Sequence, residues 1–239
     1  MKDYLEHYRR DGDYFDYSAN RAGNIGEVEK RRRQIIINAI PKTANKKPII
    51  DIGSGSGELS RDLIATGFDV VPVDLSLKNL TGAASKGESD PVLTDAYRLS
   101  FLDNSFWGAT LSSILEHCQH PEKVLSEAVR VVDEGCRVIV VVPYDERIVY
   151  HQCIHCNKPT PSHAHLHSFD QKKLKSLFEL CGLRILKIKK FANKAMDLLR
   201  INRMLKLMPY SIWNIADSIA NTVVQKPGYI MIVGIKVKR

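Results

Sequence analysis

Residues 49–58 read IIDIGSGSGE and are the most informative stretch of this chain, because an apolar run ends there in three glycines at alternate positions. A strand that ends this way has to turn sharply and leave room for a close approach, and glycine permits both. A dinucleotide fingerprint, G-x-G-x-x-G, requires glycine where this chain has Glu58, and a phosphate-binding P-loop requires a Gly-Lys-Ser/Thr ending that is absent here. The spacing therefore argues against a site for NAD or ATP.

On both sides of this loop, from residue 48 to about residue 192, apolar β-branched runs alternate with helical patterns. This alternation is typical of βαβ units, which build a parallel sheet with helices on both faces. The predicted fold class is α/β, with a doubly wound Rossmann-like sheet. The predicted strands are 48–52, 69–74, 92–94, 109–113, 137–143, 185–190 and 229–236, and the predicted helices are 59–65, 78–84, 121–132 and 171–181. Three residues mark helix ends in this pattern: Pro121 suits a first helical turn, Asp170 can cap the helix that follows it, and Gly182 is a stop after the helical pattern that precedes it.

Length and composition are those of an ordinary globular protein. The chain has 239 residues, of which 44% are hydrophobic and 26% charged, and this excludes a collagen-like, disordered or disulfide-scaffold protein. The first residues lack the apolar centre of a secretory signal, and no stretch approaches the ~18 apolar residues of a membrane-spanning helix. Five cysteines in such a chain suit a reducing compartment. We expect one domain and a cytoplasmic location.

Two carboxylates follow the next two predicted strands. Asp74 ends the second strand, 17 residues after Gly57, where a doubly wound fold places an acid against ribose hydroxyls. Asp95 follows the short third strand, where it can accept from the amino group of a purine or, alternatively, cap a helix. The loop and the acids together predict a nucleoside site that needs no pyrophosphate.

Two later motifs complete a pattern. Residues 95–106 read DAYRLSFLDNSF, and residues 115–117, LEH, lead into residues 131–135, VVDEG. With the 51–57 loop and Asp74, these segments resemble the class I S-adenosylmethionine-dependent methyltransferases, in particular their type 11 small-molecule group. The resemblance covers about residues 45 to 145 and extends weakly to the last strand.

The resemblance implies a seven-stranded sheet whose last strand is antiparallel, and it implies roles by position. The implied cofactor-binding residues are Asp51, Gly53, Ser54, Gly55 and Gly57 at the methionine portion, Asp74 at the ribose, Leu75, Asp95 and Ala96 at the adenine, and Ser113 beneath the sulfonium. The implied cofactor is S-adenosyl-L-methionine.

Methyl transfer from a sulfonium is an in-line displacement with a neutral leaving group, so alignment can provide most of the acceleration. If the acceptor is a hydroxyl or an ammonium, a base must take its proton. His117 is the best-placed candidate in the sequence, and Glu116 can orient it. The alternative is that the two residues only shape the loop.

Histidine and cysteine crowd into residues 151–167, which hold five of the eight histidines and a C-x-x-C pair. Cys153 and Cys156 have the spacing of a tetrahedral metal clip, and histidines 163, 165 and 167 would all point one way in an extended segment. Some members of the resembling group share C-x-x-C followed by H-x-H, which His165 and His167 match. A structural zinc held by Cys153, Cys156, His165 and His167 is the prediction; a metal-free loop and a redox pair remain open.

The chain is predicted to be a single domain over residues 1–239. Its parts are an N-terminal helical cap at 1–40, a cofactor-binding core at 41–150, a possible metal loop at 151–169 and a helical lid insertion at 193–224. The cap joins a helix at 27–39 to an aromatic cluster of Tyr14, Phe15 and Tyr17. In the insertion, apolar residues recur at helical spacing on either side of Pro209 and predict two amphipathic helices, which either pack on the core, form a lid or contact a membrane surface.

Positive charge is concentrated just before and within this insertion. The net charge is +8, and residues 184–206 carry eight basic residues against Asp197. Such a field attracts nucleic acid, anionic lipid or an acidic substrate, or is simply solvated. The predicted function is transfer of a methyl group to a small-molecule or lipid-like acceptor, with peripheral contact between residues 184–206 and an anionic surface. An RNA or protein methyltransferase, or a non-catalytic cofactor-binding scaffold, is the alternative.

Overall fold

The computed structural model describes residues 24–42, 47–84, 90–152, 157 and 159–238. These residues contain a seven-stranded sheet and a separate two-stranded hairpin. The strands are β1 Ile49–Ile52, β2 Val70–Asp74, β3 Val92–Leu93, β4 Phe106–Ser112, β5 Val132–Pro143, β6 Tyr150–Gln152, β7 Pro159–Pro161, β8 Leu183–Asn193 and β9 Pro227–Lys236. The helices are α1 Asn24–Ile37, α2 Glu58–Ala65, α3 Leu77–Ala84, α4 Pro121–Val131, α5 Gln171–Leu180, α6 Lys194–Leu198, α7 Ile201–Met204 and α8 Tyr210–Val223. Two 3-10 turns lie at Leu115–His117 and Ser162–Ala164.

The strand order of the large sheet is β3-β2-β1-β4-β5-β9-β8. β1 pairs in parallel with both β2 and β4, whereas β9 runs antiparallel to β5 and β8. The predicted seven-stranded sheet with an antiparallel last strand is therefore confirmed. The chain leaves β1 in one direction and later returns to its other side at β4, and a doubly wound sheet places ligands at such a switch point.

Local signals set several helix ends. The Asp170 carboxylate accepts a hydrogen bond from the backbone N–H of Lys173 and caps α5. Gly182 follows α5 with φ +74°, a conformation that glycine adopts without strain. Pro121 is the first residue of α4, where its missing N–H costs nothing. These three expectations are confirmed.

Two apolar layers cover the two faces of the sheet. One layer packs Val124 of α4 and Phe178 of α5 against the sheet. The other packs Ile36 of α1, Leu63 of α2 and Trp213 of α8 against the opposite face. Alternate residues of β5 contribute to one layer or the other, as the pleat requires. The helical insertion is thus attached to the same face as the N-terminal helix.

The structure departs from the predicted elements in three places. β5 begins at Val132, directly after α4, and so starts five residues earlier than expected. The insertion contains three helices instead of two, because Arg200 takes a left-handed φ of 56° between α6 and α7. The hairpin of β6 and β7 was not predicted, since its strands are only three residues long.

Two predicted features lie outside the described residues: the aromatic cluster of Tyr14, Phe15 and Tyr17, and the thiols of Cys153 and Cys156. Among the described helices, none combines the length and the apolar character that crossing a bilayer requires.

Candidate active site

A cavity of about 890 Å³ opens at the carboxyl ends of β1, β2 and β4. It is lined by residues from the glycine loop, from the segments after β2, β3 and β4, from α1 and from the turn after β7. The predicted residues that line it are Asp51, Gly53, Ser54, Gly55, Asp74, Leu75, Asp95, Ala96, Ser113, Glu116, His117 and His165. One described cavity therefore brings together most of the residues that the sequence singled out.

The glycine loop at one end has a backbone that other residues rarely adopt. Gly53, Gly55 and Gly57 have φ values of +71°, +53° and +73°. A Cβ on Gly53 would lie 2.7 Å from Cδ1 of Ile114, whereas a Cβ on Gly55 would meet no protein atom within 4 Å. Gly53 is therefore required by protein packing, and Gly55 leaves open space beside the loop.

Asp51 lies beneath this loop and is almost completely buried, with 2% of its surface exposed. Its two oxygens accept hydrogen bonds from Ser60 Oγ at 2.7 Å and Thr110 Oγ1 at 2.8 Å. Burial raises the pKa of this carboxyl, and the two hydroxyl donors act in the opposite direction. Both hydrogen bonds tie β1 to α2 and β4, so this residue fixes the base of the loop.

Asp74 joins the loop to the end of β2. Its Oδ2 accepts from the Gly55 N–H at 2.9 Å, and its Oδ1 accepts from the Ser76 N–H at 2.8 Å. Burial raises the pKa of Asp74, while these backbone donors lower it. The carboxylate is held rigidly at the cavity wall by these donors.

Asp95 and Ala96 stand on the same side of the cavity as Leu75. The Asp95 Oδ1 accepts from the Tyr97 N–H at 2.9 Å. This bond closes a turn in a segment that is not helical, so Asp95 does not take the helix-cap role that was the alternative.

Beside Ser113, the cavity contains a cation that the sequence patterns did not reveal. Arg32, from α1, donates through Nη1 to Ser113 Oγ at 2.7 Å and pairs with Glu29. Its guanidinium also lies over the ring of Tyr229, 5.3 Å from the centroid. Glu29, Arg32 and Arg33 all line the cavity, and their spacing on one helix face is the signal that could have revealed them.

Glu116 is the most unusual of the side chains that line the cavity. Its side chain is 1% exposed, and neither carboxylate oxygen has a hydrogen-bond partner among the described residues. Burial raises the pKa of Glu116 to about 8, although Arg32 and Ser113 partly oppose this. A buried carboxylic acid of this kind holds its proton at neutral pH and can donate it in a hydrogen bond.

His117 is oriented by a different group than expected. Its Nδ1 lies 3.3 Å from the carbonyl oxygen of Ala164, and its ring makes an edge contact with that of His165 at 4.8 Å. A carbonyl oxygen only accepts, so Nδ1 carries the proton and Nε2 has the lone pair that a base needs. Glu116 instead contributes through its backbone. Its carbonyl oxygen accepts hydrogen bonds from the N–H groups of Leu166 and His167 and anchors the segment that contains them.

The predicted zinc set is only partly within the described residues. His163 and Ala164 have φ values of 56° and 55°, so the three histidines do not lie on an extended segment, and the expectation that all point one way is wrong. His165 instead lies near Glu116 and His117, with one ligand atom from each within 4.8 Å of the others. Its Nδ1 is 2.6 Å from Glu146 Oε2.

Comparison with known proteins agrees with the site. Residues 50–140 match the family described as "Methyltransferase domain". A demethylmenaquinone methyltransferase of Renibacterium salmoninarum is 32% identical over 112 residues, which are 46% of this chain and 47% of that protein. A mitochondrial ubiquinone biosynthesis O-methyltransferase of Candida albicans is 30% identical over 120 residues, 46% of this chain and 35% of that protein. The chain thus spans about half the length, or less, of these curated relatives.

Solved structures share the fold over a longer part of the chain. An S-adenosylmethionine-dependent methyltransferase from Mesorhizobium loti has a TM-score of 0.61 at 14% identity, covering 84% of this chain and 96% of that one. Phosphoethanolamine N-methyltransferase 2 of Haemonchus contortus has a TM-score of 0.62 at 15% identity, covering 87% of this chain and 52% of that one. At these identities the likeness concerns the fold, which the sheet order above also shows.

Proposed function

We propose that this protein transfers a methyl group from S-adenosylmethionine to a small-molecule or lipid-like acceptor, because residues 50–140 match a methyltransferase domain family. The observation that carries the proposal is the hydrogen bond from the Gly55 N–H of a left-handed glycine loop to Asp74, in a cavity that Glu116 and His117 also line.

The described residues fit this cofactor. The Ser54 hydroxyl is buried without a hydrogen-bond partner among the described residues, and the space beside Gly55 is empty of protein atoms. We expect Ser54 and the loop backbone to hold the methionine portion, and the Asp74 carboxylate to accept from the ribose hydroxyls. Leu75, Asp95 and Ala96 would line the adenine. When bound, the cofactor supplies an electrophilic methyl group on a sulfonium.

Three side chains of the cavity can act on an acceptor molecule. His117 takes a proton through Nε2, and Glu116, which is protonated at neutral pH, donates a hydrogen bond to an acceptor oxygen. Arg32 sits beside Ser113 and favours an acceptor that carries negative charge or becomes negative when it loses a proton. The printed names of the relatives concern quinone biosynthesis, which supports an apolar ring with oxygen substituents as the acceptor class.

The first experiment is calorimetric titration of the purified protein with S-adenosylhomocysteine, with NAD in parallel. We expect micromolar binding of the first compound alone. Absence of binding by folded protein, or binding of NAD, would contradict the proposed cofactor and favour the non-catalytic scaffold.

A second experiment follows a radiolabelled methyl group into hydroxylated quinone precursors, with RNA and protein as competing acceptors. We expect label in the quinone precursors, and His117→Gln should lower the rate by about 100-fold or more. The matched control is His120→Gln, since His120 is half exposed and pairs with Glu122 outside this cavity. Label in RNA or protein alone would favour the alternative of an RNA or protein methyltransferase.

We also propose that the Cys/His segment binds zinc through Cys153, Cys156, His165 and His167. The described part supports this in one respect: the buried Nε2 of His167 has no hydrogen-bond partner there. We expect about one zinc per chain, lost in the Cys153→Ser/Cys156→Ser double variant. Zinc that persists in that variant but is lost in His165→Ala would instead assign it to the cluster of Glu116, His117 and His165.

A further inference from the structure

The helical insertion α6–α8 exposes an unusual number of large apolar side chains. Of the eighteen such side chains that are exposed among the described residues, ten lie within residues 198–224. We call these ten the apolar surface: Leu198, Leu199, Met204, Leu207, Met208, Ile212, Ile215, Ile219, Val223 and Val224. Leu198 and Leu207 are 84% and 92% exposed, so they are fully on the surface and do not belong to the edge of the core. A concentration of this kind on one segment marks an interaction site.

The same segment buries two polar side chains beside its apolar contacts with the sheet. Asn202 is fully buried and accepts from Nε1 of Trp213, itself a core residue, at 2.9 Å. Asp217 is 1% exposed and accepts from the backbone N–H groups of Ala192 and Asn193. These buried contacts fix the inner side of the insertion and leave the ten aliphatic side chains on its outer side.

Buried hydrogen bonds also fix the turn between α7 and α8. Arg31 of α1 is 2% exposed and pairs with Glu27 at 2.8 Å. Its Nη2 donates at 3.0 Å to the carbonyl oxygens of both Leu205 and Met208. The turn that presents Leu207 to solvent is therefore held in place from below.

Positive charges lie along the same segment as the apolar surface. Residues 194–226 contain five exposed cations, and Asp197 is the one exposed acid in that range; the cations are Lys194, Arg200, Arg203, Lys206 and Lys226. Exposed aliphatic side chains with neighbouring basic residues are typical of helices that lie in the interface of an anionic bilayer.

We propose that the apolar surface docks onto the headgroup region of an anionic lipid bilayer. A second copy of this chain would bring the same five cations close to one another across a two-fold interface, and this like-charge contact is unfavourable. RNA is disfavoured because the exposed members are aliphatic and offer no ring on which a base can stack.

This docking has a consequence for the cavity, which rests on the proposed function. Helix α1 contacts the insertion through Arg31 and lines the cavity through the next residue, Arg32. A bilayer held against the insertion would thus lie beside a helix that lines the cavity. A lipid-like acceptor could then reach the cavity directly from the membrane.

The test is flotation of the full chain with phosphatidylcholine vesicles that contain about 30% phosphatidylglycerol, and with phosphatidylcholine vesicles alone. We expect binding to the anionic vesicles that weakens with salt. Leu198→Ser/Leu207→Ser should lower the partition coefficient by about tenfold or more. The matched control is Leu102→Ser/Leu180→Ser, which replaces two leucines that are 83% and 73% exposed elsewhere and should bind like the wild type.

Two results would overturn the docking proposal. One is that wild-type protein fails to float with anionic vesicles at low salt. The other is a stable dimer, seen by sedimentation, that Leu198→Ser/Leu207→Ser dissociates while vesicle binding stays unchanged. Titration of each variant with S-adenosylhomocysteine separates this proposal from the function of the cavity, because the surface variants should retain wild-type affinity.

Discussion

At the glycine-loop end of the cavity, Asp51 and Asp74 each accept two hydrogen bonds from the chain. Glu116 lines the same cavity and is as deeply buried as Asp51, yet neither of its oxygens has a hydrogen-bond partner among the described residues. Burial raises the pKa of all three carboxyls, that of Glu116 to about 8. The same residue chemistry therefore serves two purposes in one cavity.

The difference shows which of these carboxylates receive their hydrogen bonds from the chain itself. Asp51 and Asp74 connect β1, β2 and α2, so they shape a rigid pocket before any ligand arrives. Glu116 contributes no such side-chain bond, and an unsatisfied buried acid costs stability unless something outside the chain contacts it. An acceptor molecule, a metal ion or a retained proton can satisfy it.

Replacing Glu116 tests this contrast with the largest expected effect. The ordinary pKa is 4.5 and the folded value is about 8, so between these pH values the unfolded chain releases a proton that the folded chain keeps. The free energy of unfolding must therefore fall as pH rises through this window. Glu116→Gln has no proton to release, and at pH 8 we expect it to be more stable than the wild type by about 2 to 4 kcal/mol, with little difference near pH 4.5.

Urea unfolding of chelator-treated protein at a series of pH values measures this difference. Glu179→Gln is the control, because that carboxylate is exposed on α5 and should show no such trend. Wild type and Glu116→Gln curves that stay parallel across the pH range would contradict the contrast between Glu116 and the two aspartates.

Asp74→Ala tests one of the satisfied carboxylates. It removes the acceptor for the Gly55 and Ser76 N–H groups and the lone pairs proposed for the ribose. Affinity for S-adenosylhomocysteine should fall by about 1 to 3 kcal/mol, or roughly 5- to 150-fold. Asp103→Ala is the calorimetric control, since Asp103 pairs with Arg130 and is 70% exposed. Equal affinities for Asp74→Ala and the wild type would remove Asp74 from the ribose site.

The glycine loop with Asp51 and Asp74 was also the part of the site that the sequence could predict. A strand, a glycine turn and an acid at the end of the next strand are local patterns, and the sheet brings them together whatever the rest of the chain does. The helix ends at Pro121 and Gly182 were predicted for the same reason, since their signals lie within a few residues.

The rest of the site could not be predicted this way, because its members come from distant segments. Arg32, Glu116 and His165 meet only after α1 and the turn following β7 have packed against β4. The direction of the apolar side chains in the insertion was left open for a related reason. Periodicity shows that a helix has two faces, but the tertiary contacts of buried residues such as Trp213 and Asp217 decide which face turns inward.

Thr110→Val tests whether the hydrogen bonds of Asp51 matter to the fold. The change keeps the side-chain shape but leaves a buried carboxylate oxygen without its 2.8 Å donor. We expect a loss of about 1 to 2 kcal/mol in the free energy of unfolding. Thr81→Val is the control, as Thr81 is exposed and donates to the carbonyl oxygen of Lys78 within α3. An effect no larger than that of the control would mean that Asp51 does not depend on this donor.

Gly55→Ala is expected to have a small effect on stability and a selective effect on binding. Gly55 and Gly67 both have positive φ, +53° and +92°, and a Cβ on either meets no protein atom within 4 Å. Both alanine variants should therefore lose about 1 to 2 kcal/mol of stability from backbone strain. Only the methyl group at residue 55 enters the space proposed for the cofactor, so only Gly55→Ala should weaken S-adenosylhomocysteine binding. If the two variants bind equally well, the open space beside the loop is not where the cofactor lies.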